Sequence, residues 1–103
     1  MGQKPRIPSK LENAFIDLVI EMSTNDSEVA RRAWPDMARP VRKLQHITAK
    51  QGKRKRQYVR LEDAYRISIG LEVEFPLLML AAYQKMKKQA EEKVVLEAKK
   101  KVH

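Results

Sequence analysis

The chain has 103 residues and a mass of 12.0 kDa, which limits it to one domain with a single modest core. Hydrophobic residues make up 43% of it and charged residues 34%, a composition too apolar for wholesale disorder. The longest apolar run, from Phe75 to Tyr83, is far shorter than the ~20 residues of a membrane span, and the lack of cysteine excludes disulfides, thiol catalysis and thiolate zinc sites.

The first predicted element is a helix that follows a short arm. Residues 1–8 carry two prolines, lack the apolar stretch of a signal peptide and are predicted to form a flexible arm. Ser9 and Glu12 have the spacing of a capping box, which predicts a helix start at this point. The helix is expected to end near Ser23. Its apolar residues recur at helical spacing: Leu11, Ala14, Phe15, Leu18, Val19 and Met22.

Two short helices are predicted next. Asn25 and Glu28 repeat the capping spacing, and Pro35 is expected to end the second helix, because the residue before a proline is pushed out of helical geometry. The third helix is predicted to begin near Ala38, with Pro40 tolerated in its first turn. Its inner side is expected to carry Val41, Leu44 and Ile47.

Two further helices complete the prediction. The fourth starts near Leu61 with acidic residues in its first turn, as the helix dipole favours, and the fifth starts near Phe75. Residues 9–90 are predicted to form the domain, and residues 91–103 a charged, frayed helical tail. Four residues of the fifth helix have the 4-3-4 spacing of a coiled-coil seam and are candidates for a dimer interface: Met79, Tyr83, Met86 and Ala90. The predicted fold is therefore all-α, with five helices and a long basic loop between helices three and four.

The net charge of +9 is concentrated in one window. Between residues 37 and 61 there are nine basic and no acidic residues, whereas the rest of the chain is balanced. Uncompensated like charges repel one another, so a polyanionic partner would stabilise this window; a basic loop without a partner is the alternative. The basic residues are Arg39, Arg42, Lys43, Lys50, Lys53, Arg54, Lys55, Arg56 and Arg60.

Two stretches of the sequence carry a likeness to a known family. The pattern over residues 61–78 resembles the fourth and fifth helices of the phage repressor and Cro-type (Xre-like) helix-turn-helix family, and residues 25–32 are similar to the start of its second helix. The likeness covers residues 11–78. It implies a five-helix repressor-like bundle whose core anchors include Leu61, Ile67, Leu71, Val73, Phe75 and Leu78.

The sequence also departs from the family's pattern. Asn25 and Asp26 stand where the family has Thr-Gln, and Asp26 would repel the phosphate that the family's Gln contacts, so this contact is not carried over. Trp34 and Pro35 replace the usual glycine of the turn, and Trp34 is expected to cap the core. A long basic segment replaces the short loop after the third helix. Because of these changes, the resemblance does not fix which residues of the third helix align with those of the family's recognition helix.

The resemblance implies that the third helix enters the major groove of DNA, where base edges are distinguishable. An arginine there can read guanine for about 1–3 kcal/mol of discrimination, or can contact phosphate alone. Residues assigned to the groove are Ala38, Arg39, Arg42, Lys43 and His46. Residues expected to grip the backbone or enter a minor groove are Lys53, Arg54, Lys55, Arg56, Tyr58 and Arg60, although Tyr58 could equally pack against the fold.

We therefore predict a sequence-specific regulator of transcription that binds double-stranded DNA as a homodimer in the cytoplasm or nucleoid. No catalytic residue, cofactor, metal, small-molecule substrate or membrane is expected, since the sequence has no Gly-rich phosphate loop and no metal-ligand cluster. Two alternatives stay open. One is an antitoxin or phage accessory module that binds an acidic protein, and the other is an RNA-binding protein, which the aromatic content of 6% disfavours.

Overall fold

The structure, a computed structural model, describes residues 9–49 and 59–101, with side chains as far as residue 92. These residues form five α-helices and no strand, so the prediction of an all-α fold with five helices is confirmed. The helices are α1 (Lys10–Met22), α2 (Asp26–Ala33), α3 (Pro40–Thr48), α4 (Leu61–Gly70) and α5 (Phe75–Lys101). The last helix continues into the segment predicted as a tail.

The helix starts follow from local side-chain chemistry. The Ser9 hydroxyl accepts a hydrogen bond from the Glu12 N–H at 3.1 Å, and the Glu12 carboxylate accepts one from the Ser9 N–H at 3.2 Å, which confirms the capping box of α1. The Asn25 side chain accepts from the Glu28 N–H at 3.3 Å and caps α2 in the same way. Pro40 is the first residue of α3, where its missing N–H costs nothing; the helix starts later than the predicted Ala38.

The core lies between the five helices, each of which contributes buried residues to it. α1 packs mainly against α5, while α2 packs against both α4 and α3. Trp34, at the end of α2, is only 4% exposed, so the expectation that it caps the core is confirmed. The buried apolar cluster consists of Phe15, Val19, Val29, Ala30, Ala33, Trp34, Leu44, Ala64, Ile67, Leu78 and Ala82.

α2 and α4 approach each other closely. A Cβ on Gly70 would lie well inside van der Waals contact of the Val29 carbonyl oxygen, so glycine is required at this crossing. Each helix also carries an arginine that donates to the other. Arg32 Nη1 donates to the Gly70 carbonyl at 3.3 Å, and Arg66 Nη1 donates to the Ala33 carbonyl at 3.2 Å. These bonds satisfy carbonyls that a helix end leaves without intrahelical partners.

The expectation that Leu61 is a core anchor is wrong. Leu61 is 72% exposed, because α4 turns Ala64, Ile67 and Ser68 towards α2 and α5 and leaves Leu61 on its outer side. The other five anchors implied by the resemblance are confirmed: Ile67 and Leu78 are buried, and Leu71, Val73 and Phe75 pack against the core.

Within the described ranges, no single helix has the length and apolar composition to cross a membrane. Only α4 and the described part of α5, taken as a pair bent by 106°, meet that criterion.

Candidate nucleic-acid interface

α3 is held to the body of the protein by one apolar face. Leu44 is buried, and Val41 and Ile47 pack against the core cluster, as the sequence predicts. Thr48 is also buried, and its hydroxyl donates to the Gln45 carbonyl at 3.4 Å. Because the inner face is fixed in this way, the rotation of α3 about its axis is fixed too, and so is the face that it turns to solvent.

The solvent face of α3 is basic. Arg39, Arg42 and His46 are all exposed, and their spacing of three and four residues places them in one row about 10 Å long. Neither Arg39 nor Arg42 forms an ion pair with an acidic side chain of the described residues. Ala38 is exposed as well, but lies before the helix starts. Two guanidinium groups are therefore presented to solvent from a rigid element.

The amino terminus of α3 adds to this positive surface. Arg39 occupies the N-cap position without a side-chain hydrogen bond to the helix, and no acidic residue lies in the first turn. By contrast, α1 and α2 are capped by Ser9 and Asn25 and carry acidic residues in their first turns. Exposed N–H groups at a helix start, together with the positive end of the dipole, attract anions.

Lys43 has a different environment from the other basic residues of α3. Its Nζ lies 3.4 Å from an oxygen of Asp63 in α4 and 5.6 Å from the centre of the Trp34 ring. The half-buried Lys43 charge thus links α3 to α4 and to the end of α2. Among the residues predicted to face the groove, Lys43 is the one whose charge is engaged by other helices of the fold.

Arg60 lies at the edge of a cleft between the α2–α3 connection and the start of α4. It is the exposed N-cap residue of α4 and makes no capping hydrogen bond with its side chain. The cleft has a volume of about 470 Å³. Its lining includes both acidic and basic side chains, and within it Glu62 pairs with Arg66 at 3.5 Å. Its lining residues are Trp34, Asp36, Met37, Lys43, Arg60, Glu62, Asp63 and Arg66.

The predicted backbone-gripping residues from Lys53 to Arg56, together with Tyr58, lie outside the described residues. The structure does fix the two ends of that segment. α3 ends at Thr48, and its C-cap residue Ala49 has a left-handed backbone with φ of 48°. After the segment, the Val59 N–H donates to Glu12 Oε2 at 2.5 Å, and the Val59 side chain packs against the core. The two described residues that flank the segment, Ala49 and Val59, are therefore both part of the folded body.

The four candidates for a dimer interface do not share one environment. Met79 packs against the core, and Met86 is half-buried. Tyr83 and Ala90 are exposed, and Lys87 Nζ lies 5.5 Å from the centre of the Tyr83 ring.

The sequence pattern did not identify the partners of the basic residues. Asp63 and Trp34 position Lys43, yet they lie 20 and nine residues from it along the chain, beyond the reach of any helical spacing rule. The contact between Glu12 and Val59 spans 47 residues and has no local signal either. The sequence pattern identifies Glu12 only as a capping residue of α1 and not as the partner of Val59.

Comparisons of the chain with protein-family models, with curated proteins and with solved structures found no match.

Proposed function

We propose that this protein is a regulator of transcription that binds double-stranded DNA, with α3 lying in the major groove. The proposal is supported by the two different faces of α3, one apolar and packed against the core and the other basic and exposed. Val41, Leu44 and Ile47 fix one face to the core, while Arg39 and Arg42 project from the other side without acidic partners among the described residues. A helix of this width fits the major groove, and arginine is the side chain best suited to guanine O6 and N7.

Phosphate contacts are proposed on both sides of the row that Arg39, Arg42 and His46 form on α3. The uncapped start of α3 offers backbone N–H groups to a phosphate, and Arg60 occupies the corresponding position on α4. The sequence between α3 and α4 adds Lys50 and the run from Lys53 to Arg56, without an acidic residue. Such contacts orient the protein on the duplex and supply most of its non-specific affinity.

A homodimer is part of the proposal. One short recognition helix gives limited affinity, and two copies on one duplex multiply it. Two α3 helices about 34 Å apart would enter successive major grooves on the same side of the DNA. The proposed location is accordingly the cytoplasm, at the nucleoid.

The experiment that tests the role of α3 is a titration of a fluorescent duplex with the full chain and with variants. The double variant Arg39→Gln/Arg42→Gln should bind at least about tenfold more weakly, since a bidentate arginine–guanine pair contributes about 1–3 kcal/mol of discrimination. Lys10→Gln/Lys88→Gln is the matched control, because Lys10 and Lys88 are exposed basic residues of α1 and α5. It also removes two positive charges, without touching α3.

Equal affinity of Arg39→Gln/Arg42→Gln and Lys10→Gln/Lys88→Gln would contradict the proposal. Binding of the wild-type chain to an acidic protein but to no duplex would favour the interaction-module alternative. Preference for RNA of the same sequence over DNA would favour the RNA-binding alternative, because the deep, narrow major groove of RNA does not admit α3.

A further inference from the structure

Exposed large hydrophobic side chains are concentrated on α4 and the first turns of α5. Six of the eight found in the described residues lie there, and none carries a charge. They are Leu61 (72% exposed), Tyr65 (50%), Ile69 (45%), Leu77 (56%), Leu80 (50%) and Tyr83 (47%). The Tyr65 ring packs edge-on against Phe75 with centroids 5.9 Å apart, which connects the outer side of α4 to the start of α5. We name these six residues the α4–α5 apolar surface.

The size of this surface fits a macromolecular partner. A fully exposed residue of this size has an accessible area of roughly 200 Å². The exposed parts of the six residues therefore have a combined area of roughly 600 Å² on one copy of the chain. A standard protein interface buries about 800 Å² per partner, and apolar patches of monomers reach only about 300–600 Å². The α4–α5 apolar surface therefore lies at the upper end of the range for monomers and provides about three quarters of the area that one partner buries in a standard interface.

The arrangement on α4 is self-complementary. Leu61, Tyr65 and Ile69 follow one another at intervals of four residues and form a stripe about 12 Å long with Tyr65 at its centre. When two copies of α4 lie antiparallel across a twofold axis at Tyr65, Leu61 faces Ile69 of the partner subunit. Each end of the stripe then meets an apolar side chain, as an isologous interface requires.

The charge beside the stripe does not add to the repulsion between two copies of the chain. Two molecules with a net charge of +9 repel each other, so a contact surface between them has to be free of uncompensated charge. The acidic residues beside the stripe are neutralised within one subunit: Glu62 lies 3.5 Å from Arg66, and Glu72 lies 3.6 Å from Arg32.

We propose that the α4–α5 apolar surface is a homodimer interface, with α4 of the two copies antiparallel about a twofold axis at Tyr65. The inference deepens the dimeric part of the proposed function and rests on it. It moves the centre of the interface away from Met79 and Met86, which are partly buried within the subunit, and towards α4.

Sedimentation equilibrium of the full chain without DNA tests the proposal. The wild-type protein should sediment at twice its mass of 12.0 kDa, and Ile69→Glu and Leu77→Glu should each raise the dissociation constant at least tenfold. Met22→Glu is the control, because Met22 is similarly exposed but lies at the end of α1. Far-UV circular dichroism establishes that each variant is folded. A monomeric wild-type chain, or equal weakening by Met22→Glu, would overturn the proposal.

Cysteine cross-linking tests the geometry separately, since the chain contains no cysteine of its own. Under mild oxidation, Tyr65→Cys should form a disulfide between two copies, because the twofold axis brings the two residues within bonding reach. Leu61→Cys alone should not, whereas an equimolar mixture of Leu61→Cys and Ile69→Cys should. Efficient cross-linking of Leu61→Cys alone would overturn the antiparallel arrangement. Both experiments omit DNA, so a failure of DNA binding leaves their results unchanged.

Discussion

Gly70 shows how a single residue sets the distance between two helices. The Val29 carbonyl oxygen occupies the space that a Cβ at this position would need, and that oxygen belongs to backbone inside α2. A larger residue therefore has to push α2 and α4 apart, which also lengthens the bond from Arg32 to the Gly70 carbonyl.

Replacement of Gly70 by alanine should lower the free energy of unfolding by about 1–3 kcal/mol, the usual cost of overpacking a tight contact. Urea unfolding followed by circular dichroism measures the effect. Gln84→Ala, on the exposed side of α5, is the control and should change stability by less than about 0.5 kcal/mol. A Gly70→Ala variant as stable as this control would show that the crossing is not tight.

At the residue scale, the sequence predicts what is local and misses what is distant. The capping residues Ser9 and Asn25 could be recognised because each acts three residues along the chain. The tight contact at Gly70 and the pairing of Lys43 with Asp63 depend on how helices cross, which no spacing within one helix reveals.

The connection between α4 and α5 is an element with an unusual residue at its turn. The Val73 N–H donates to the Ser68 carbonyl at 3.0 Å and the Glu72 N–H donates to the Ile69 carbonyl at 3.1 Å, which is the hydrogen-bond pattern of a Schellman motif. Glu72 takes the left-handed position with φ of 60°, where glycine is the usual residue. The backbone is therefore strained at the bend that orients α5.

Comparison of Glu72→Gly with Glu72→Ala isolates this strain, because both variants lose the exposed ion pair with Arg32. The glycine variant should be the more stable by about 1 kcal/mol, since a side chain in the left-handed region costs about 1–2 kcal/mol and the extra freedom of unfolded glycine offsets part of that gain. Thermal and urea unfolding provide the measurement. An alanine variant as stable as the glycine variant would contradict the assignment.

At the element scale, the number and order of the helices could be predicted because apolar periodicity and caps agree along most of the chain. The orientation of α4 could not. Leu61 and Ala64 are both apolar and three residues apart, yet only Ala64 meets α2, because the position of the neighbouring helices decides which apolar side turns inward. For the same reason, the sequence pattern does not show that Leu61, Tyr65 and Ile69 form an exposed stripe.

At the scale of the whole molecule, the excess charge lies outside the residues whose side chains the structure describes. The side chains described, in residues 9–49 and 59–92, include eleven basic and twelve acidic residues, so this part is almost neutral. Residues 50–58 carry five basic and no acidic residues, and the two terminal segments carry the remaining excess. The row on α3 is thus the basic face of a neutral scaffold, and it lies on the helix that directly precedes the basic segment.

The salt dependence of duplex binding tests the central claim most directly. We expect that about six basic residues contact phosphates, so log affinity should fall with log salt at a slope of about −5, or about 10³-fold between 50 and 200 mM. A single-stranded oligonucleotide of the same length is the control and should bind more weakly at each salt concentration, because it has no groove for α3. An affinity for duplex that does not change with salt, or no binding at low salt, would contradict the account.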